Sequence, residues 1–548
     1  YMDKIYENTI PSSGDIVNKL RVFASLGEYE PITFCIYPLK SLKDASVRIS
    51  EIKMKDGNDE IPADHFDIRV VRPFRVKIDN SAKTYKWEPF FIEKKSAFDI
   101  EKGKTKQIWI TVKIPENLKA GDYLGKVIIK EGGKETRNLD LQIRVLPFRL
   151  ADTDIKFCLA ANVVKPDDEE TMLNCFIDQM AHGMTGSYND LAIEIKSRDQ
   201  NLGQDDIDHF TKKAKRIMDA ANKVGFGKNM NFVGCTIGFQ IAYYWDNEKF
   251  WYKFWPHSEK INNDLIKAAK AMIDLAKKEG WNLWFCGIVN ESGGHPETFP
   301  EVAYYNGLLR KTFPNIKWYT EMGGGTSLGI DEIKELSPYV DYLVTNRFDE
   351  EIYEKLKKNG KIPYGIYNLA NCCGRVNPVI DRHFFGFYGW KTKTNIIRQW
   401  VYQFPPYDSI FNMKFAGDAD TGYVELIGKK PLPSISYEAV REGVDDYKYC
   451  DTLWRMITLA NKKTKDKDAQ IAAKKATETF YDIIKTFGLR FASVFKTKRE
   501  GLDNVHASAS YDIDRWKMAK EIMNLQKVIN IEEASKSTVV RPEPYDLP

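Results

Sequence analysis

The apolar run around Trp284, Phe285, Ile288 and Val289 ends abruptly in Asn290-Glu291, and Ser-Gly-Gly follows. Two-sided apolar character fits a strand buried on both faces of a parallel sheet. A carboxylate at the C-terminal end of such a strand stands at the mouth where barrel enzymes bind their ligands. Partial desolvation there raises a Glu into the range useful to a general acid. The same dipeptide is also ordinary loop or cap material, so the surrounding chain has to decide between the two. Other acidic groups fall after strand-like segments: Glu321, Asp349-Glu350, Asp418 and Asp420. Asp349-Glu350-Glu351 reads as the acidic first turn of a helix, where carboxylates favour the dipole.

The remaining chemistry-bearing residues exclude several classes. The seven histidines show no HxH or HExxH spacing, so a catalytic metal is not expected. His295, just after the dipeptide, is either a substrate contact or a loop histidine. Gly323-Gly324-Gly325 is a turn after a strand rather than a dinucleotide fingerprint, and no P-loop occurs, so no cofactor is expected. Lys/Arg and Asp/Glu number 81 and 77, and no basic block or aromatic-basic ladder suggests nucleic acid. No apolar run of membrane-spanning length occurs. The eight cysteines lack a CxxC motif and mostly sit in apolar strand-like settings, which reads as buried free thiols. The chain opens on Tyr1 without a signal-peptide core. A processed secreted, periplasmic or cell-surface chain would look like this, with the cytoplasm left open.

The elements that must position these residues fall into three regions. Residues 1–150 read as strands with Gly, Pro and Asn-Asp punctuation, including the Gly132-Gly133 hairpin signal, and a β-sandwich accounts for them. Residues 151–430 alternate short apolar strands with helical stretches. The strands are expected at Lys156–Ala161, Gly183–Tyr188, Asn231–Thr236, Leu283–Asn290, Lys317–Met322, Asp341–Asn346, Ile362–Asn368 and Asn395–Phe404. Phe210–Val224 and Asn262–Glu279 are among the helices. Eight strands in strict alternation imply an α/β multidomain chain with a central (β/α)8 TIM-like barrel. An aromatic insertion, Gln240–Trp255, is either a loop over the barrel mouth or a small satellite core. Residues 431–530 keep helical spacing, with Ser434 or Ser436 as the N-cap, and 531–548 read as a surface-draped tail. Within the helical region Arg441 and Asp445 form a favourable i,i+4 pair, and Glu442 and Asp446 an unfavourable one. That stretch reads as a solvated face, or else as a brace in which Glu442 or Asp446 supports an active-site group.

Two passages carry a family likeness. Gly417-Asp418-Ala419-Asp420-Thr421-Gly422-Tyr423, then Pro433-Ser434 and Arg441-Glu442-Gly443-Val444-Asp445-Asp446-Tyr447-Lys448-Tyr449, resemble glycoside hydrolase family 123 and its relatives. There the pattern is Gly-Asp-Gly-x-x-x-Tyr, followed by Arg-Glu-Gly-x-Glu-Asp-Tyr-x-Tyr. The second passage is Trp281 to Thr320, where an acidic dipeptide closes one strand and Pro314-Asn315-Ile316-Lys317-Trp318-Tyr319-Thr320 opens the next. Gly-Glu-Tyr-Glu-Pro (27–31) and Ala120-Gly121-Asp122-Tyr123-Leu124-Gly125 are similar to that family's sandwich domain.

The resemblance implies hydrolysis of terminal β-linked N-acetylgalactosamine in a glycan or glycoconjugate, with the substrate's acetamido oxygen as nucleophile. By position Glu291 takes the acid/base role, and Asn290 occupies the slot of the Asp that stabilises the acetamido group. That departure keeps two other readings open: a catalytically silent carbohydrate-binding relative, and a glycosidase for a sugar without the acetamido group. A conventional retaining barrel would carry a nucleophile on the seventh strand, and Ile362–Asn368 has no carboxylate. Strand ends offer Tyr319, Tyr367, Trp390 and Trp400 as sugar contacts or core residues, with Arg382 as a polar partner.

Overall fold

The computed structural model describes residues 3–77, 85–161, 168–188, 190–194, 201–226, 232–246, 251–281, 283–286, 296–321, 337–339, 341–345, 348, 353–354, 357–358, 364–367, 378–403, 422–489, 508–537 and 540–542. The chain is a mixed α/β protein that opens with strands and ends in helices. Its first strands are β1 (Lys19–Leu26), β2 (Tyr29–Ile36), β3 (Leu42–Ile49), β4 (Ile52–Met54), β5 (Glu60–Ile61) and β6 (Phe66–Lys77). They continue with β7 (Tyr85–Glu93), β8 (Phe98–Ile100), β9 (Lys106–Lys113), β10 (Gly121–Glu131) and β11 (Lys134–Arg149).

These strands make two sheets. One runs β1-β11-β10-β3-β8 with β4 and β5 alongside, and the other runs β2-β9-β6-β7. Alternation along each strand sends Ile32, Ile108, Ile110 and Val112 of the smaller sheet against Tyr123, Val127, Leu141 and Ile143 of the larger, closing one core. Gly132 and Gly133 both take positive φ, 54° and 80°, as a two-residue turn between β10 and β11 requires.

A parallel sheet follows. Its strands are β12 (Lys156–Ala161), β13 (Gly186–Tyr188), β14 (Asp190–Glu194) and β15 (Phe232–Gln240). After a hairpin of β16 (Tyr243–Asp246) and β17 (Trp251–Phe254) come β18 (Leu283–Cys286), β19 (Trp318–Glu321), β20 (Tyr342–Thr345), β21 (Tyr364–Tyr367) and β22 (Ile396–Gln403). The order is β13-β12-β22-β21-β20-β19-β18-β15-β14. Parallel neighbours need crossovers, supplied among the described residues by α1 (Glu169–Ala181), α2 (Gln204–Lys223), α3 (Glu259–Glu279) and α4 (Phe299–Thr312). Each of the eight expected strands has a counterpart among the described residues; the first keeps its expected bounds and the third runs on to Gln240. The second begins at Gly186 because Gly183, at φ 76°, belongs to the left-handed turn closing α1.

After α5 (Pro378–His383), a short hairpin, β23 (Val424–Ile427) with β24 (Lys430–Pro433), leads into the helical region. That region comprises α6 (Ile435–Lys462), α7 (Lys467–Ile484), α8 (Ser508–Leu525) and α9 (Ile531–Lys536). Ser434 caps α6 by accepting from the Tyr437 amide, as its residue type favours.

The reading of 441–447 as a solvated face is corrected: α6 is buried on every side through this stretch. The reason is packing. Gly443 lies so close to α5 that an added Cβ would stand 2.5 Å from the Arg382 carbonyl oxygen. On its other side α6 meets the sandwich. Ile435 joins Val71, Ile92 and Trp109, and Leu432 joins Phe90 and Phe91. Phe91 makes a β-bridge to Ser434, and the Ala151 amide donates to Thr452 at 2.9 Å.

Within the last segment residues 531–536 are helical, and the Arg541 guanidinium donates to the carbonyls of Lys393 and Thr394 (3.4 and 3.1 Å) while lying over the Tyr447 ring. Of the cysteines, Cys158, Cys175 and Cys450 are buried free thiols, whereas Cys35 is exposed.

Candidate active site

The described strand that precedes the dipeptide in sequence is β18, which pairs with β15 on one side and β19 on the other. Asn290, Glu291 and His295 lie outside the described residues, as do Asp349, Glu350, Asp418 and Asp420. Tyr319 is on β19, in register with Cys286 of β18 and Tyr342 of β20. Glu321 ends the same strand. Tyr367 ends β21, and Trp400 lies on β22. These residues therefore occupy strands of one parallel sheet. β16 and β17, the aromatic insertion, follow directly on β15. Phe254 and Trp255 at the hairpin's end pack against the large core, and Phe254 stacks on Tyr305.

Two sugar-contact candidates have other occupations. Trp390 is 1% exposed and wedged edge-on between Trp454 and Phe480, at 6.1 and 4.8 Å between ring centroids. It joins the sheet to the helical region and has no face turned to solvent. Arg382 is fully buried. Its Nε and Nη2 donate to both oxygens of Asp446 (2.6 and 3.0 Å), and Nη1 donates to Asp512 (2.7 Å). A guanidinium so held is a bidentate structural clamp.

That clamp belongs to a larger charge cluster under the sheet. Arg515 of α8 donates to Asp446 (2.7 Å) and Glu442 (2.9 Å), and it lies 3.5 and 3.4 Å from Glu28 and Glu30 of the sandwich. The unfavourable Glu442–Asp446 spacing is thus answered by an arginine from another helix. Arg441 pairs with Glu438 rather than Asp445. Burial pushes the Glu28 carboxyl up to about 7, with Asp445 adding to it against Arg515. Burial, with Glu442 adding, holds Glu30 well above the usual range.

None of Glu28, Glu30 or Arg515 was marked by sequence as part of a shared site. The available signal was Glu28, just before β2, and Glu30 on it, two residues apart beside apolar neighbours, since unpaired buried carboxylates demand a cation elsewhere. No group of three or more His, Cys, Asp or Glu among the described residues could hold a metal ion. No described helix is long and apolar enough to cross a membrane.

Residues 6–131 match the glycoside hydrolase 123 N-terminal domain. Among solved structures, a family 123 glycoside hydrolase from Clostridium perfringens, analysed for glycolipid glycan hydrolysis, aligns over 95% of this chain and 94% of its own. The TM-score is 0.63 at 14% identity. A family 39 glycoside hydrolase from Bacteroides cellulosilyticus aligns over 76% and 83%, at TM-score 0.37 and 12% identity. A β-D-glucuronidase from Dictyoglomus thermophilum aligns over 77% and 90%, at 0.33 and 10%. No curated protein sequence matches the chain. Residues 6–131 thus match the glycoside hydrolase 123 N-terminal domain, in a chain whose fold is similar to that of a family 123 glycoside hydrolase over nearly its whole length.

Proposed function

We propose that the protein is an exo-acting glycoside hydrolase for terminal β-linked N-acetylhexosamine, N-acetylgalactosamine-like, on a glycan or glycoconjugate. The observation carrying this reading is the fold shared over 95% of the chain with a family 123 glycoside hydrolase, together with the Asn290-Glu291 pair four and five residues beyond Cys286, the last described residue of β18. In this reading the parallel sheet is a (β/α)8 catalytic barrel (151–430), which the β12–β22 pairing supports. Residues 1–150 form its sandwich partner, 431–530 its helical brace and 531–548 its tail.

Glu291 protonates the leaving oxygen and then deprotonates the attacking water. The acetamido oxygen of the substrate attacks the anomeric carbon, and Asn290 orients that group by hydrogen bonding. Tyr319, Tyr367 and Trp400 belong to the sheet that frames the site, with His295 following the acid.

A neutral amide at 290 supplies less electrostatic stabilisation than a carboxylate. One preorganised contact of that kind is worth about 3 kcal/mol, or roughly 10²–10³-fold in rate. On paired aryl N-acetyl-β-galactosaminide and β-galactoside substrates, Asn290→Asp is therefore expected to accelerate turnover of the N-acetylgalactosaminide. If Asn290→Asp instead slows turnover and the galactoside is preferred, the substrate lacks the acetamido group. Asn290 itself favours the second reading, a carbohydrate-binding relative without turnover. Inactivity of both wild type and Asn290→Asp across the panel, with sugar binding retained, would establish it.

A further inference from the structure

At the seam between the smaller sandwich sheet and the barrel helices lies a cavity of about 380 Å³. Ligand-sized pockets begin at roughly 300 Å³, so it has room for a monosaccharide or a small disaccharide. One wall is the outer face of the sheet. Register places Tyr29 opposite Lys113, and Asp67 opposite Thr111, so a polar row crosses three strands on the face away from the sandwich core. The other wall is the end of α1, with Asp178 and His182, and the first turns of α6, with Glu438 and Arg441.

Elsewhere along this seam the two bodies meet through apolar side chains such as Trp109 and Ile435, and through the cluster in which Arg515 pairs with Glu442 and Asp446 beside Glu28 and Glu30. Docking alone would be served by continuing the apolar contacts, because buried polar groups cost free energy unless they are paired. Here the lining is instead polar and mixed in charge. Three cations (Arg69, Lys113, Arg441) and two histidines (His65, His182) stand among four carboxylates (Asp64, Asp67, Asp178, Glu438). Arg69 donates to Asp67 at 2.6 Å, and Arg441 pairs with Glu438. Glu438 also meets His182 Nε2 at 3.3 Å, while His182 stacks on Tyr437. Arg441 is 4% exposed, and its Nε has no partner among the described residues.

A lining that sets both signs side by side, with the carboxylates in slight excess, gives little net attraction to a lone anion. Fixed donors and acceptors side by side suit hydroxyl groups, each of which donates and accepts at once. We infer that this interdomain cavity is a binding site for a neutral saccharide, separate from the strand-end site and lined by no residue of the parallel sheet. The inference is independent of the glycosidase reading, because binding here requires no turnover.

The test is calorimetric titration of the full chain with galactose, N-acetylgalactosamine, N-acetylglucosamine, lactose and glucuronate, together with hydroxyl-radical footprinting of Tyr29 and His65. Thr111→Trp fills the cavity from the half-exposed sheet face, and Lys113→Ala changes an exposed wall residue without endangering the fold. At least one neutral sugar is expected to bind and to protect Tyr29. Thr111→Trp should weaken that binding by roughly tenfold or more, and Lys113→Ala should weaken it by a smaller factor. Absence of Tyr29 protection by every neutral sugar, binding of glucuronate alone, or unchanged binding in Lys113→Ala and in folded Thr111→Trp would each overturn the inference.

Discussion

Arg515 and Arg382 hold most of the buried charge together, and neither can be removed cheaply. Each faces carboxylates that water does not reach, so deleting the cation strands an uncompensated charge, typically at a cost of about 3–5 kcal/mol. Arg515→Met is expected to lower stability by that order, measured by denaturant unfolding. A change below about 1 kcal/mol would mean the cluster is protonated enough to do without it. Arg382 also separates two roles that sequence left together. Arg382→Lys keeps the charge but loses the bidentate grip on Asp446, so the melting temperature should fall while KM for an aryl glycoside stays near wild type. A rise in KM at unchanged melting temperature would return Arg382 to the substrate.

At the scale of elements, α6 is the hub, and its packing explains what pattern reading could and could not reach. Strand positions were legible because buried parallel strands are short apolar runs, and Lys156–Ala161 appears as expected. The α6 N-cap was legible for the same local reason, through Ser434. The surroundings of Arg441-Glu442-Gly443 were not, since a helix rich in charge looks solvated until its partners are known, and those partners lie hundreds of residues away, as Glu28 does from Tyr449 of the same helix, 421 residues apart.

Gly443 shows the consequence. Alanine there would gain about 1 kcal/mol of helix propensity but must push against the α5 backbone. Overpacking typically costs about 1–3 kcal/mol, so Gly443→Ala should be net destabilising, and a stabilised variant would show that the crossing can relax.

The same hub gives the protein a pH dependence. Glu28 and Glu30 bind protons more tightly folded than unfolded, so their contribution is fully present below about pH 4.5 and is lost as pH rises, through about 7 in the case of Glu28. Glu438 acts in the opposite sense: although burial opposes it, Arg441 and His182 hold its carboxyl down at about 2, so its contribution is lost only as pH falls from about 4.5 towards 2. The melting temperature should therefore decline between pH 5 and 7.5, and Glu28→Gln should flatten that decline. A wild-type melting temperature that rises over this range would contradict the assignment.

For the molecule as a whole, the sandwich is tied down by more than the short connection after β11. Arg515, Tyr449 and Thr452 from the helical region reach Glu28, Glu30 and the Ala151 amide, and Phe23 packs on Trp516. Limited proteolysis should accordingly leave the sandwich attached, and early release of a separable N-terminal fragment would count against a rigid interface.

The claim that matters most concerns Glu291, and leaving-group chemistry tests it directly. Turnover of wild type and Glu291→Gln should be compared on N-acetylgalactosaminides with a poor alkyl and an activated nitrophenyl leaving group. Glutamine keeps the shape and hydrogen bonding of the acid but has no proton to transfer. The alkyl glycoside is expected to slow by roughly 10²–10⁴-fold, and the nitrophenyl glycoside by much less. Equal rates for wild type and Glu291→Gln on the alkyl glycoside would contradict the assignment and move the acid to another carboxylate, with Glu321 the first to examine.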